Sequence, residues 1–160
     1  MPRRLASSLA VALLLTSACA TDHAVTRLSS GVVVHTFRND YANAHVVVSG
    51  ANAFMIDTGV ENQGPALVSQ LQRAGIAPAS LRAVVLTHGH ADHAGAAHFL
   101  HQTYRVPIIA GAADQPLLKA GANDRLCPTN DDARQRLEAD QRARFTPVDA
   151  DLTIDAPTDA

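Results

Sequence analysis

The sequence predicts a single α/β layered domain, on three observations. Short β-branched runs alternate with stretches of helical composition, the apolar fraction of 47% is that of an ordinary globular chain, and 160 residues suffice for one core. The totals exclude several classes of function. With 13 Lys+Arg, 15 Asp+Glu and 8 His the formal charge is −2, so there is no polybasic surface for nucleic acid, and two cysteines make no disulfide scaffold. Function therefore has to be read from local motifs.

The first twenty residues have the pattern of a secretory signal peptide. Arg3 and Arg4 form a positive start, Leu5 to Leu15 is a short apolar stretch, and Thr16-Ser17-Ala18-Cys19-Ala20 supplies small residues for cleavage. The apolar run falls short of the roughly 20 residues that a membrane-spanning helix needs. Two processing routes stay open. Ala18-Cys19-Ala20 fits cleavage after Ala20, whereas Ser17-Ala18-Cys19 resembles a lipoprotein signal, with Thr16 where a Leu is usual and Cys19 as the lipid-bearing residue. The expected organisation is thus a leader over 1–20 and one domain over 21–160, with the protein periplasmic or secreted, or held at a membrane only through a lipid on Cys19. Removing residues 1–18 takes away two basic residues and no acidic one, leaving a formal charge of −4. Either route leaves Cys127 without a partner for an internal disulfide.

In the mature chain, Gly31 to Phe37, His45 to Val48 and Ala53 to Ile56 read as three strands separated by polar turns. Pro65, the spacing of Leu67, Val68 and Leu71, and Gly75 predict a helix of about ten residues. Leu81 to Leu86 is a continuous apolar strand, Ala94 to Tyr104 a helix, and Val106 to Ala110 another strand. Strands that alternate with helices in this way imply a sheet with buried faces. Further on, Asp114 to Ala120 predicts a short helix. Asp131 to Arg144 predicts a charged one, with acids at its amino end and Arg142 and Arg144 at the other, the favourable sense for the helix dipole. Its few apolar positions suggest a solvated surface helix.

Five of the eight histidines lie between 88 and 101, three of them within His88-Gly89-His90-Ala91-Asp92-His93. In an extended segment residues two apart face the same way, so His88 and His90 can converge on one cation while Asp92 and His93 face a second. Imidazole with one carboxylate suits zinc best, and ligand type alone leaves iron and manganese open. Gly89 and Gly95 allow tight bends, and Ala91 and Ala94 leave space around the ligands. A cation at such a site lowers the pKa of bound water to about 7, which points to hydrolysis. His98 and His101, three apart on the next helix, lead away from the motif, and His23, His35 and His45 fall in strands or loops. Tyr41 and Asn43 either border the cleft or shape a turn.

The run Thr87 to Gly95 resembles the HxHxDH signature of the metallo-β-lactamase fold superfamily. Met55-Ile56-Asp57-Thr58-Gly59 and the strand Ala83 to Leu86 resemble the same family's pattern, so the likeness covers about residues 30 to 112. It implies the N-terminal half of a metallo-β-lactamase αββα sandwich. It further implies two zinc ions, the first on His88 and His90 and the second on Asp92 and His93, with Asp92 also orienting the attacking water and Asp57 supporting the site. The activity so implied is hydrolysis of a small-molecule lactam, lactone, ester or thioester through a metal-bound hydroxide.

Family members take three more ligands from later in the chain, and no histidine follows His101. The expectation is an amino-terminal fragment, marginally stable, weak in zinc binding, and liable to associate through uncovered sheet surface. The competing expectation is a non-catalytic remnant or a periplasmic zinc-binding protein. A nucleic-acid-processing role is disfavoured by export and by acidic charge.

Overall fold

The computed structural model describes residues 22–155. The leader over 1–20 and its Cys19 lie outside the described residues. Seven strands, β1 (His23–Arg27), β2 (Val33–Asn39), β3 (Ala42–Ser49), β4 (Asn52–Ile56), β5 (Val84–Val85), β6 (Ile108–Gly111) and β7 (Leu152–Ile154), form one sheet in chain order. The pairs from β1 to β4 are antiparallel and those from β4 to β7 are parallel. Among the described residues there are five α-helices: α1 (Gly64–Arg73), α2 (Ala91–Ala94), α3 (Ala97–Tyr104), α4 (Gln115–Ala120) and α5 (Asp131–Arg142).

The strand register separates two faces of the sheet. Side chains alternate along a strand, and paired residues share a face, so Phe37, Ala44, Val46, Met55, Val84 and Ile108 lie on one side. All are buried, in one cluster with Leu67, Val68 and Leu71 of α1, Ala97 and Leu100 of α3 and Leu118 of α4. The opposite face carries Val34, Val47 and Phe54 in one row, and Ile56, Val85, Ile109 and Leu152 in another. None of these seven is buried. The described chain is therefore two layers, with helices on one side of the sheet and the other side uncovered.

Several elements depart from the boundaries that periodicity suggests. The polar stretch Arg38 to Asn43 tightens to a hairpin at Asp40 and Tyr41, because Arg38 pairs with Asn43 and Asn39 with Ala42. Asp40 takes the left-handed backbone (φ 62) that such a turn requires. Of Leu81 to Leu86 only Val84 and Val85 join the ladder, although Leu81 and Leu86 are still buried. The helix expected from Ala94 to Tyr104 breaks into α2 and α3, where Ala96 donates its N–H to the Thr58 hydroxyl at 3.1 Å instead of continuing the helix. β1 has no counterpart in the sequence reading. Its His-Ala-Val-Thr-Arg alternation is too short and too polar to register as an apolar run.

Candidate metal centre

The site forms where β4 and β5 end side by side. Parallel strands direct their carboxyl ends to one edge, so Asp57 after β4 and Thr87 to His90 after β5 meet there. Asp57 adopts a left-handed backbone (φ 57), a conformation that Asp tolerates better than most residues. Its carboxylate is buried and accepts from the Thr87 N–H at 2.8 Å, the Thr87 hydroxyl at 2.8 Å and His93 Nδ1 at 2.8 Å. Thr58 then ties the same turn to α2: its N–H and hydroxyl both donate to the His93 carbonyl, at 2.7 and 2.9 Å.

Two glycines are required by packing. A Cβ on Gly95 would lie 2.5 Å from the Ala91 carbonyl oxygen and 2.5 Å from the Glu61 nitrogen. On Gly59, where φ is +71, it would strike the Asn39 side chain at 2.5 Å. The Gly95 contact lets α2 approach the turn after β4, and the Gly59 contact seats that turn against Asn39 of β2.

The structure gathers the three histidines of the motif. Ring centroids of His88 lie 4.6 Å from His90 and 4.0 Å from His93. Each ring has one nitrogen committed. His88 Nδ1 is 3.1 Å from the Thr87 hydroxyl, which donates its own hydrogen to Asp57 and so accepts here. His90 Nε2 is 2.9 Å from the Asp124 carboxylate, and His93 Nδ1 is held by Asp57. The remaining nitrogens are Nε2 of His88, Nδ1 of His90 and Nε2 of His93, the last 3.5 Å from Asp92 Oδ2. Holding the other nitrogen in this way is the usual preparation of an imidazole for a metal.

Charge distribution follows the same contacts. Hydrogen bonds donated to Asp57 and then to Asp92 push His93 up to about 9. Burial alone would raise Asp57, but the bonds from His93 and Thr87 outweigh it and hold the carboxylate below its ordinary value. Asp92 is also lowered, first by its bond with His93. His88 is pushed down by burial and by the neighbouring His93 and His90, which keeps it neutral and able to ligate. With His93 bound between two carboxylates, no three His, Cys, Asp or Glu side chains among the described residues are disposed to hold a metal ion as they stand. The donor set nevertheless fits zinc in chemistry: Nε2 of His88 and Nδ1 of His90 are not taken up by the contacts above, and the facing His93 Nε2 and Asp92 carboxylate are themselves zinc-type ligands.

A cleft of ≈ 220 Å³ opens beside the motif, lined by Tyr41, His90, Asp92, Asn123, Arg136 and Asp140 among others. Tyr41 thus borders the cleft, and Asn43 is not among its lining residues. A larger depression of ≈ 570 Å³ around Arg38, Gln70 and Arg73 contains no histidine and lies apart from this chemistry. His98 and His101 turn to other partners, the Pro147 carbonyl at 2.9 Å and Asp151 at 3.5 Å. Cys127 is exposed. Asp114, Asn123 and Asp124 all touch the motif from positions that carry no spacing signal; only tertiary contact finds them. Asp114 accepts the Gly89 N–H at 2.9 Å, and Asn123 accepts the Ala91 N–H at 2.8 Å.

Comparison with known proteins accords with this geometry. The metallo-beta-lactamase superfamily matches the chain over residues 38–141. A probable metallo-hydrolase of Bacillus subtilis, YybB, is 34% identical over 64 residues, which are 40% of this chain and 27% of that protein. Among solved structures, a metallo-beta-lactamase of Cronobacter sakazakii aligns over 81% of this chain and 45% of its own, with TM-score 0.63 and 18% identity. The subclass B3 metallo-beta-lactamase BJP-1 of Bradyrhizobium japonicum covers 76% of this chain and 42% of its own, with TM-score 0.59 and 17% identity. MIM-1 of Novosphingobium pentaromativorans is 26% identical, with TM-score 0.55, over 71% of this chain and 38% of its own. The chain spans less than half the length of these relatives. Its mixed seven-stranded sheet with helices is part of the metallo-beta-lactamase fold, and the chain belongs to the metallo-beta-lactamase superfamily.

Proposed function

We propose that this protein is an exported, zinc-dependent hydrolase that opens a lactam, lactone, ester or thioester in a small-molecule substrate. The observation that carries the reading is the convergence of His88, His90 and His93, each held through one ring nitrogen, with the second nitrogen of His93 turned to Asp92. His88 and His90 would hold one zinc ion, and Asp92 and His93 a second. The chemistry zinc supplies when bound is Lewis acidity, which polarises a carbonyl and acidifies water.

The chain's own residues do the rest. Asp92, 35% exposed and facing the cleft, orients the attacking water and accepts its hydrogen bond. Asp57 stays buried beneath the site; it holds His93 through Nδ1 and does not reach substrate. Tyr41 and Arg136 stand at the rim, where they would meet the non-reacting part of a substrate. The leader over 1–20 would deliver the protein to the periplasm or the medium, or leave it anchored through a lipid on Cys19. The family likeness, the acidic charge and the polar cleft support this reading over nucleic-acid processing.

Zinc stoichiometry, followed by assays with nitrocefin, a lactone and a thioester, tests it. Asp92→Ala is expected to lower turnover by ~10²- to 10⁴-fold, the range for loss of a group that handles a proton, with the circular dichroism spectrum unchanged. Zinc bound without turnover of any of the three would favour a non-catalytic zinc-binding protein. A chain that binds no zinc would sink both readings.

A further inference from the structure

Between α4 and α5 the chain runs over residues 121–130 without regular structure, yet it is firmly tied to α5. Gln141 Nε2 donates to the Asp124 carbonyl at 2.6 Å, the Leu126 N–H donates to Gln141 Oε1 at 2.9 Å, and Asn123 Nδ2 donates to the Asp140 carbonyl at 2.8 Å. From this anchored segment two adjacent side chains reach the histidine motif. Asn123 accepts the first N–H of α2, and the Asp124 carboxylate meets His90 Nε2 at 2.9 Å.

A carboxylate can only accept, so Nε2 must carry the hydrogen, and a neutral imidazole then has a bare lone pair on Nδ1. Asp124 therefore selects one of two tautomers and fixes the ring's rotation at the same time. The bond adds little to stability, because the Asp124 side chain is 58% exposed and water competes for it. What it does set is which nitrogen of His90 is available. We propose, resting on the zinc reading above, that Asp124 is a positioning residue: it holds His90 with Nδ1 presented to the cation. In this reading α5 is the strut that keeps Asp124 in place. Asp57 stands in the same relation to His93, and Thr87 to His88. The three ring orientations are then set from three separate parts of the chain.

Three variants test the assignment: Asp124→Ala, Asp124→Asn, which keeps an acceptor oxygen, and Gln141→Ala, which cuts the tie to α5. Two measurements are made on each, the tautomer of His90 by nitrogen-15 NMR on metal-free protein at mildly alkaline pH, and the zinc dissociation constant by chelator competition. Asp124→Ala is expected to turn the single Nε2–H form of His90 into a mixture and to weaken zinc binding ~10- to 100-fold, with the thermal melt of the metal-free protein unmoved. Asp124→Asn and Gln141→Ala should fall between Asp124→Ala and the unsubstituted protein. A His90 tautomer and a zinc affinity unchanged in Asp124→Ala would overturn the assignment. If the unsubstituted protein takes up no zinc, the hydrolase reading fails, and the tautomer measurement still decides whether Asp124 sets the ring.

Discussion

Asp57 is the residue on which the site's interior hangs. One carboxylate satisfies a backbone N–H, a hydroxyl and an imidazole, in a backbone conformation unusual for a side-chain-bearing residue. Replacing it with Ala would leave those half-buried donors without their shared acceptor. The expected cost is ~1–3 kcal/mol, read as a lower midpoint in denaturant titration. A second prediction concerns His35, well away from the motif. It stacks on Phe37 and shares a hydrogen bond of 3.0 Å with His23 of β1. Burial, then the neighbouring His23 and Arg27, lowers its pKa from 6.5. The folded protein thus binds this proton less readily than the unfolded chain. His35 therefore contributes stability above pH 6.5 that is lost as the pH falls from 6.5 toward the lower folded value. Melting temperature should drop across that window, and His35→Phe, which cannot titrate, should flatten the drop. An identical pH profile for the variant would remove His35 from the account.

At the scale of elements, the placement of α2 decides the site. This four-residue helix carries Asp92 and His93, and it can lie against the turn after β4 only because Gly95 has no side chain there. Gly95→Ala would push a methyl group into backbone on two sides, which cannot yield as a flexible side chain does. Destabilisation of ~1–3 kcal/mol is expected, together with weaker zinc binding, because the helix must move away from His88. Calorimetry and chelator competition on the variant check both. A neutral result would mean that α2 has more freedom than these contacts allow. α5 shows the converse case. None of its residues is buried, as a solvated surface helix requires, yet through Asn123 and Gln141 it braces the segment that touches the motif.

Over the whole molecule, the asymmetry of the sheet is the dominant feature. One face packs against α1, α3 and α4; the other exposes apolar side chains, with Phe54 40%, Leu152 55% and Ile154 56% accessible. Among the described residues β7 is also an edge strand. Self-association is the expected behaviour. A double change, Leu152→Thr with Ile154→Thr, keeps strand propensity while removing apolar surface, and should lower the associated fraction in sedimentation velocity. Association that persists undiminished would locate its cause elsewhere.

Much of this architecture was legible in the residues alone. Valine runs marked β2 and β3, Pro65 and Gly75 bounded α1, and the spacing of His88 to His93 marked the histidine cluster that the fold gathers. The outer strand β1 was not legible. It is short and polar, and it becomes a strand by pairing with β2 rather than by propensity. Nor could the sequence find Asp124, 34 residues from His90, because no local period links a loop aspartate to a histidine in another loop.

The order of amino acids by itself determined the chemistry on offer: which side chains can hold a cation, and that three imidazoles and a carboxylate come within six residues. Tertiary structure decided how they are presented. A ring nitrogen is committed or free according to the partner that folding brings to it, and those partners, Asp57 and Asp124, arrive from opposite directions along the chain. The reason is physical: spacing sets which side chains can be neighbours, but the direction of a hydrogen bond exists only once distant segments have packed.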